Sequence, residues 1–155
     1  MKKEVVMTRE EFLVYEGHFN AKEYDKVVSY FSPDCTVEYA DVFTMGPQDP
    51  PNIARGPEDF IKRYTTLHEY FNEFLELGIF LSDDKNMIVE FQTEFHCIKE
   101  NDHFGVPMKV GEYCAVNQFC VYDFDENGKF SRIRISHHRV LNNNPGFKPL
   151  HNHKE

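Results

Sequence analysis

The sequence has no tryptophan, no CxxC pair among its four cysteines, and no apolar run approaching the roughly eighteen residues of a membrane span. It is also short of positive charge: 17 Lys and Arg stand against 26 Asp and Glu, giving a formal net charge of −9. That balance repels phosphate backbones and anionic lipid surfaces, so neither nucleic acid nor membrane is an expected partner. Cys35, Cys97, Cys114 and Cys120 are scattered through strand-like segments and read as small reduced core residues, not as a disulfide framework or zinc ligands. The opening MKKEVVMTREEF lacks an apolar core and a small-residue cleavage site, so no secretory signal is expected and the chain reads as cytoplasmic. A Gly-rich phosphate loop and a GxSxG elbow are missing too. His137-His138 and the tail's His151 and His153 resemble metal ligands only in composition, because adjacent strand residues face opposite sides. No metal and no cofactor is expected.

What the chain does have is ring surface: 15 Phe and 8 Tyr in 155 residues, which suggests a wide, aromatic-lined interior. A chain of this length makes one domain that buries roughly 70% of its unfolded surface. We read residues 1–155 as that single domain, with a core over about 8–140 and a polar tail or lid over 141–155.

Thr8 opens TREEF, a capping box closed by Glu11, and Phe12, Tyr15, Glu16 and Phe19 follow at helical spacing. A short second helix carries Tyr24, Val27, Val28 and Phe31 inward and stops at Ser32-Pro33-Asp34. CTVEYAD is a strand. TMGPQDPPNIARG after it reads as a long Pro- and Gly-rich loop, and such loops are often functional lids. Gly56-Pro57-Glu58-Asp59 starts a third helix with Phe60, Ile61, Tyr64, Leu67, His68 and Phe71 on its apolar face. Four strands follow: FLELGIFL, MIVEFQTEFHCI, VGEYCAVNQFCVY and KFSRIRISHHRV. Helices grouped on one side of an antiparallel sheet make an α+β fold.

Strand alternation assigns faces. Val89, Phe91, Thr93, Phe95 and Cys97 are expected inward, and Glu90, Gln92, Glu94 and His96 outward. Ile133, Ile135 and His137 share the inner face of the last strand, while Arg132 and Arg134 on the outer face await acidic cross-strand partners. The run AVNQFCVY is ambiguous. The register holding Tyr113, Ala115, Asn117, Phe119 and Val121 is preferred as inward because it carries Phe119 and Val121. Asn117 then faces the helices, and an unpaired buried amide costs about 1–3 kcal/mol, so it calls for a partner or a ligand.

YEGHFNAKEYDKVVSYFSPDCTVEY, ARGPEDFIKRY and the final GKFSRIRI resemble the nuclear-transport-factor-2-like superfamily over residues 8 to 140. The resemblance implies a cone-shaped, curved antiparallel (mixed) sheet wrapped around three N-terminal helices, as in SnoaL-like polyketide cyclases, ketosteroid isomerase and scytalone dehydratase. Set against ketosteroid isomerase, Tyr15 matches the oxyanion tyrosine, Asn117 the second donor, and Tyr39 falls where the base would be. Asp41 can substitute for that base only where the strand end bends inward. Set against scytalone dehydratase, Tyr39 and Asn117 match and His96 approximately matches a histidine, which requires His96 to face inward through a bulge. The second histidine and the Tyr-Asp pair of that site are absent here, where Phe19-Asn20 and Glu73 stand instead.

The resemblance and the residues together imply a cofactor-independent acid/base enzyme, a dehydratase, isomerase or cyclase, acting on a small apolar oxygenated metabolite such as a polyketide or terpenoid. His137, Asp41 or His96 supplies the base, and Tyr15, Tyr39 and Asn117 hold the developing oxyanion. Phe19, Phe60, Tyr64, His68, Phe91, Phe95, Phe119 and Ile135 wall the pocket, with the 43–55 loop and the tail closing its mouth. An epoxide hydrolase fits less well, because the inner face is expected to lack paired acids and an arginine. The alternative is a non-catalytic small-molecule-binding or dimerisation module, since that superfamily hosts many binding proteins. A homodimer or higher homo-oligomer is expected, because dimerisation through the outer sheet face is common in that superfamily.

Overall fold

The structure, a computed structural model, describes residues 5–42 and 44–151; position 43 and His153 lie outside the described residues. Helix α1 (Arg9–Asn20) begins at the Thr8–Glu11 capping box and buries Phe12, Tyr15, Glu16 and Phe19, the stripe expected from spacing. Helix α2 (Tyr24–Val28) is a single short turn that delivers the chain into β1 (Phe31–Val42). The segment read as a loop is instead strand β2 (Gly46–Arg55), paired antiparallel with β1. Pro47, Pro50 and Pro51 hid it, because proline cannot serve a central ladder. As the outer edge of the sheet, β2 tolerates those missing donors.

Helix α3 (Gly56–Leu67) starts with Pro57 in its first turn and buries Phe60 and Tyr64. Gly56, at φ 82°, makes the sharp entry, with the Pro33 carbonyl only 3.4 Å from where a Cβ would sit. Strands β3 (Phe71–Ser82), β4 (Asn86–Cys97), β5 (Tyr113–Phe124) and β6 (Phe130–Val140) complete one six-stranded sheet. Its order is β2-β1-β6-β5-β4-β3, antiparallel except for the parallel pairing of β1 with β6. The sheet is open and mixed, and it forms the α+β cone with the helices on its concave side.

The closed end of the cone is aromatic. Phe12, Tyr15, Tyr122 and Phe130 meet edge-on or tilted at 4.8–6.5 Å between ring centroids, a geometry favoured by the ring quadrupoles. Outside, Arg132 pairs with Glu38 and Arg134 with Asp123. The expected cross-strand ion pairs are therefore present, with acids from β1 and β5 rather than from β4. Among the described residues, no helix is long and apolar enough to cross a membrane.

Candidate functional site

The open end of the cone holds a cavity of about 570 Å³, lined among others by Tyr39, Asp41, Tyr64, Glu73, Gln118 and His137. Strand register explains why these residues meet. In the β4–β5 ladder Phe91 lies opposite Gln118, Val89 opposite Cys120 and Met87 opposite Tyr122, and directly opposed residues share a face. Since Met87, Val89 and Phe91 are core residues, Gln118, Cys120 and Tyr122 face inward as well. Gln118 in turn lies opposite His137 on β6.

Asp41 reaches the same place from β1. The β1–β2 register slips between Tyr39 and Asp41, and Asp41 lines the cavity. Asp41 Oδ1 accepts from the His137 backbone N–H at 3.0 Å and lies 3.1 Å from His137 Nδ1. A carboxylate only accepts, so Nδ1 carries the imidazole proton and the basic lone pair is on Nε2. The two side chains are only 11% and 14% exposed, and both line the cavity.

Two tyrosines stand beside this pair. Tyr39 donates to the Tyr64 hydroxyl at 2.9 Å. Burial pushes both phenols well above their ordinary range, so they stay protonated and act as donors. Arg63 on α3 donates to the Ile53 carbonyl at 2.7 Å and to Asn52 Oδ1 at 2.9 Å, and its guanidinium lies 6.0 Å from the Tyr39 ring centroid. Asp59, Arg63, Asp41 and Glu73 all line the cavity, so the inner face does hold acids and an arginine, contrary to the sequence expectation. Thiol nucleophiles are disfavoured: burial pushes Cys35 and Cys120 up to about 12 and Cys114 up to about 11. Among the described residues, no group of three or more His, Cys, Asp or Glu side chains is placed to hold a metal ion.

Of the residues nominated from sequence, His137, Asp41, Tyr39, Tyr64, Phe95 and Ile135 line the cavity. Asn117 does not. It opposes Gln92 on the outer face, and its neighbour Gln118 is the inward amide. Phe119, the residue that favoured the wrong register, also faces outward and packs on His138 at 5.7 Å. The outer face is apolar here, which is what misled the reading. His96 faces outward too: the β4–β5 register runs without a break from residue 86 to 96, so no bulge turns it in.

Tyr15, Phe19, Phe60 and Phe91 are buried in the packed core, not on the cavity wall. His68 stands one layer behind the wall, bonded to Glu73 at 2.9 Å. Glu73, read from sequence only as standing where the dehydratase site has its second histidine, is not among the nominated site residues, yet Phe71, Glu73, Leu75 and Leu77 alternate inward and Glu73 is 4% exposed.

The mouth closes differently from expectation. Met45 and Gln48 do line it, within the β1–β2 hairpin, but the other side is His103 and Phe104 from the loop joining β4 to β5. Thr44 Oγ1 donates to the Phe104 carbonyl and ties the two together. The C-terminal tail crosses the outer face instead, where the Leu150 and His151 N–H groups donate to Glu94 at 2.7 and 3.1 Å.

Neither a family model nor a curated protein matches the chain, but many solved structures do. An NTF2-like protein of unknown function from Burkholderia pseudomallei superposes with a TM-score of 0.64 at 13% identity, covering 85% of this chain and 92% of that one. The chain has the NTF2-like fold. A putative polyketide cyclase from Pseudomonas putida shares this NTF2-like cone at a TM-score of 0.61 and 18% identity, with 85% and 92% coverage. So does SalBIII, an epoxide hydrolase/cyclase-like enzyme of pyran ring formation in the polyether salinomycin, at 0.61 and 16% identity over 82% and 87%.

Proposed function

We propose that the chain is a cofactor-independent acid/base enzyme acting on a small, largely apolar, oxygenated molecule. The observation that carries this reading is the Asp41–His137 pair set in the wall of a cavity of about 570 Å³. Asp41 holds the imidazole so that Nε2 is the base, taking a proton from carbon beside a carbonyl. The Tyr39–Tyr64 hydroxyls and the Gln118 amide supply donors for the oxygen on which charge develops. Phe95, Phe104, Ile135 and Leu67 provide apolar wall, which excludes water and strengthens those bonds. Dehydration, isomerisation and cyclisation all share this first step. The names of the structural neighbours, cyclases and an epoxide hydrolase/cyclase-like enzyme, support the same class.

The acids and arginine at the cavity favour a second reading, in which the same base activates water or a hydroxyl for attack on an epoxide. The non-catalytic binding reading is the outcome if no proton is taken.

The test is elimination of 5-nitrobenzisoxazole, a small aromatic whose ring opening needs only a base and releases a coloured phenolate. The wild-type chain is expected to outrun free imidazole at equal concentration. His137→Gln is expected to lower the rate roughly 100-fold or more, and Asp41→Asn roughly 10- to 100-fold through loss of the tautomer, as for a histidine's supporting carboxylate elsewhere. A wild-type chain no faster than imidazole overturns the acid/base reading.

A further inference from the structure

Glu73 enters the cavity from β3, at the far end of the sheet from β1 and its Asp41. It has a histidine of its own, arranged in the reverse order. In the Asp41–His137 pair the carboxylate supports and the imidazole is the base. Here His68 supports and the carboxylate fronts the cavity. Glu73 Oε1 lies 2.9 Å from His68 Nε2, and both side chains are 5% exposed. His68 Nδ1 lies 2.5 Å from the hydroxyl of Tyr24, a half-buried residue of α2.

The direction of this line is fixed by Glu73. A carboxylate only accepts, so His68 carries its proton on Nε2 and gives it to Glu73, leaving Nδ1 to accept from the Tyr24 hydroxyl. Burial, then the charge of Glu73, pushes the Tyr24 phenol up to about 12, so that hydroxyl keeps its proton. The imidazole is held between rings, with Tyr24 stacked at 5.7 Å and Phe19 and Tyr64 at 5.7 and 5.6 Å. Lys22 donates to the Glu73 backbone carbonyl and fixes that stretch of strand. Glu73 lines the same cavity as Tyr39 and Tyr64, the two tyrosines of the site, and its charge adds to the burial that raises both phenols.

We propose that Glu73 is a second proton-exchanging group of the cavity, and that His68 and Tyr24 are the positioning residues that hold its carboxylate. The inference rests on the acid/base reading above and assigns its other half. In loss of water from a β-hydroxy carbonyl compound, His137 Nε2 takes the proton next to the carbonyl and the C–H electron pair becomes the new C=C bond. The C–O bond breaks, and the departing oxygen leaves as water with a proton from Glu73, one that the carboxylate first took up from solvent in the open cavity. Glu73 is then again the carboxylate it began as, and His137 gives its proton to solvent. The proton taken from solvent and the one returned to it cancel, and His68 and Tyr24 keep their own protons throughout. The substrate class implied is a molecule with an acidic C–H and a hydroxyl or other oxygen leaving group, one addressed by each end of the sheet.

The experiment uses 5-nitrobenzisoxazole with His137 already replaced, so that a second base is exposed. His137→Gln is expected to retain turnover above the buffer rate. Adding Glu73→Gln is expected to remove it, and adding Tyr24→Phe or His68→Gln to lower it roughly 10-fold and move its pH profile. Thermal unfolding of each variant separates loss of fold from loss of chemistry. Should Glu73→Gln not fold, Tyr24→Phe decides alone, since it removes one hydroxyl: an unchanged pH profile overturns the inference. Turnover by the wild-type chain that is lost in His137→Gln, with no residue of rate depending on Glu73, removes this inference and leaves the acid/base reading standing. A wild-type chain no faster than imidazole removes both.

Discussion

Two histidine–carboxylate pairs stand on opposite faces of the same sheet. Asp41–His137 lies on the concave face and lines the cavity. Glu94–His96 lies on the convex face, 1% and 3% exposed, at 2.9 Å. The chemistry of the two pairs is the same and their surroundings are not. Glu94 accepts from His96, from Gln92 at 2.9 Å and from the backbone N–H groups of Leu150 and His151. His96 is stacked on Tyr113 at 5.4 Å, and His151 lies parallel on Phe74 at 4.3 Å. A carboxylate whose acceptor capacity is filled by the protein's own donors is a clasp: it holds the tail to the sheet and has nothing left to offer a ligand. The concave pair looks onto empty volume instead. Having a histidine beside an acid does not make a site; the side of the sheet on which that pair falls does.

The sharpest way to break this comparison is to make the same substitution on both faces. His137→Gln is expected to cut elimination of the benzisoxazole by two to four orders of magnitude while moving the unfolding temperature little, because the pair is edged by open space. His96→Gln is expected to do the reverse, keeping turnover and lowering stability. Turnover lost equally in both would erase the distinction. Glu94→Gln follows in size. Its amide nitrogen would confront donors, including two backbone N–H groups, and a loss of about 2–4 kcal/mol in denaturant unfolding is expected.

Acid sharpens the same contrast. Burial works against the Glu94 charge, but the bonds from His96, Leu150, Gln92 and His151 outweigh it and hold the carboxyl down at about 2. A lowered acid contributes stability that is complete above its unfolded value near 4.5 and is lost as pH falls toward 2. That window is worth on the order of 3 kcal/mol. Denaturant midpoints measured from pH 6 down to pH 2 are expected to fall steeply in the wild type and less in Glu94→Gln.

The smallest effect belongs to an acid with fewer donors, a backbone bond from Leu77 being too little to offset its burial. Glu16 on α1 is pushed up to about 7 by burial and then by Glu76, and its Oε1 is buried with no partner among the described residues. For a raised acid the sign reverses, and stability declines as pH rises from about 4.5 to about 7. Glu16→Gln is expected to add about 1–2 kcal/mol at pH 8 and almost nothing at pH 4, by the same unfolding measurement.

Much of this was legible in the sequence, and the failures share a cause. The α1 stripe and its capping box could be read because period and cap agree. The inward run of β6 to His137 could be read because arginines mark its other side. β5 could not, because both of its faces are covered, Tyr122 and Cys120 inside and Ala115 and Phe119 outside, so alternation carried no contrast. The one-residue slip put Asn117 where Gln118 stands. β2 was hidden by prolines that an edge strand tolerates. Glu73 and the tail clasp depend on pairings distant in sequence, His68 and Tyr24 for one and Leu150 for the other, and local pattern does not carry those.

The parallel seam between the first strand and the last has a consequence for how the molecule comes into being. Asp41 and His137 are 96 positions apart, and closing so long a loop is among the slower and more entropically costly events in folding. No hairpin or helix–strand unit built earlier along the chain can contain the pair. During synthesis the pair is therefore assembled only after the whole stretch from Asp41 to His137 has left the ribosome, and whatever depends on the pair waits until the first and last strands have found each other.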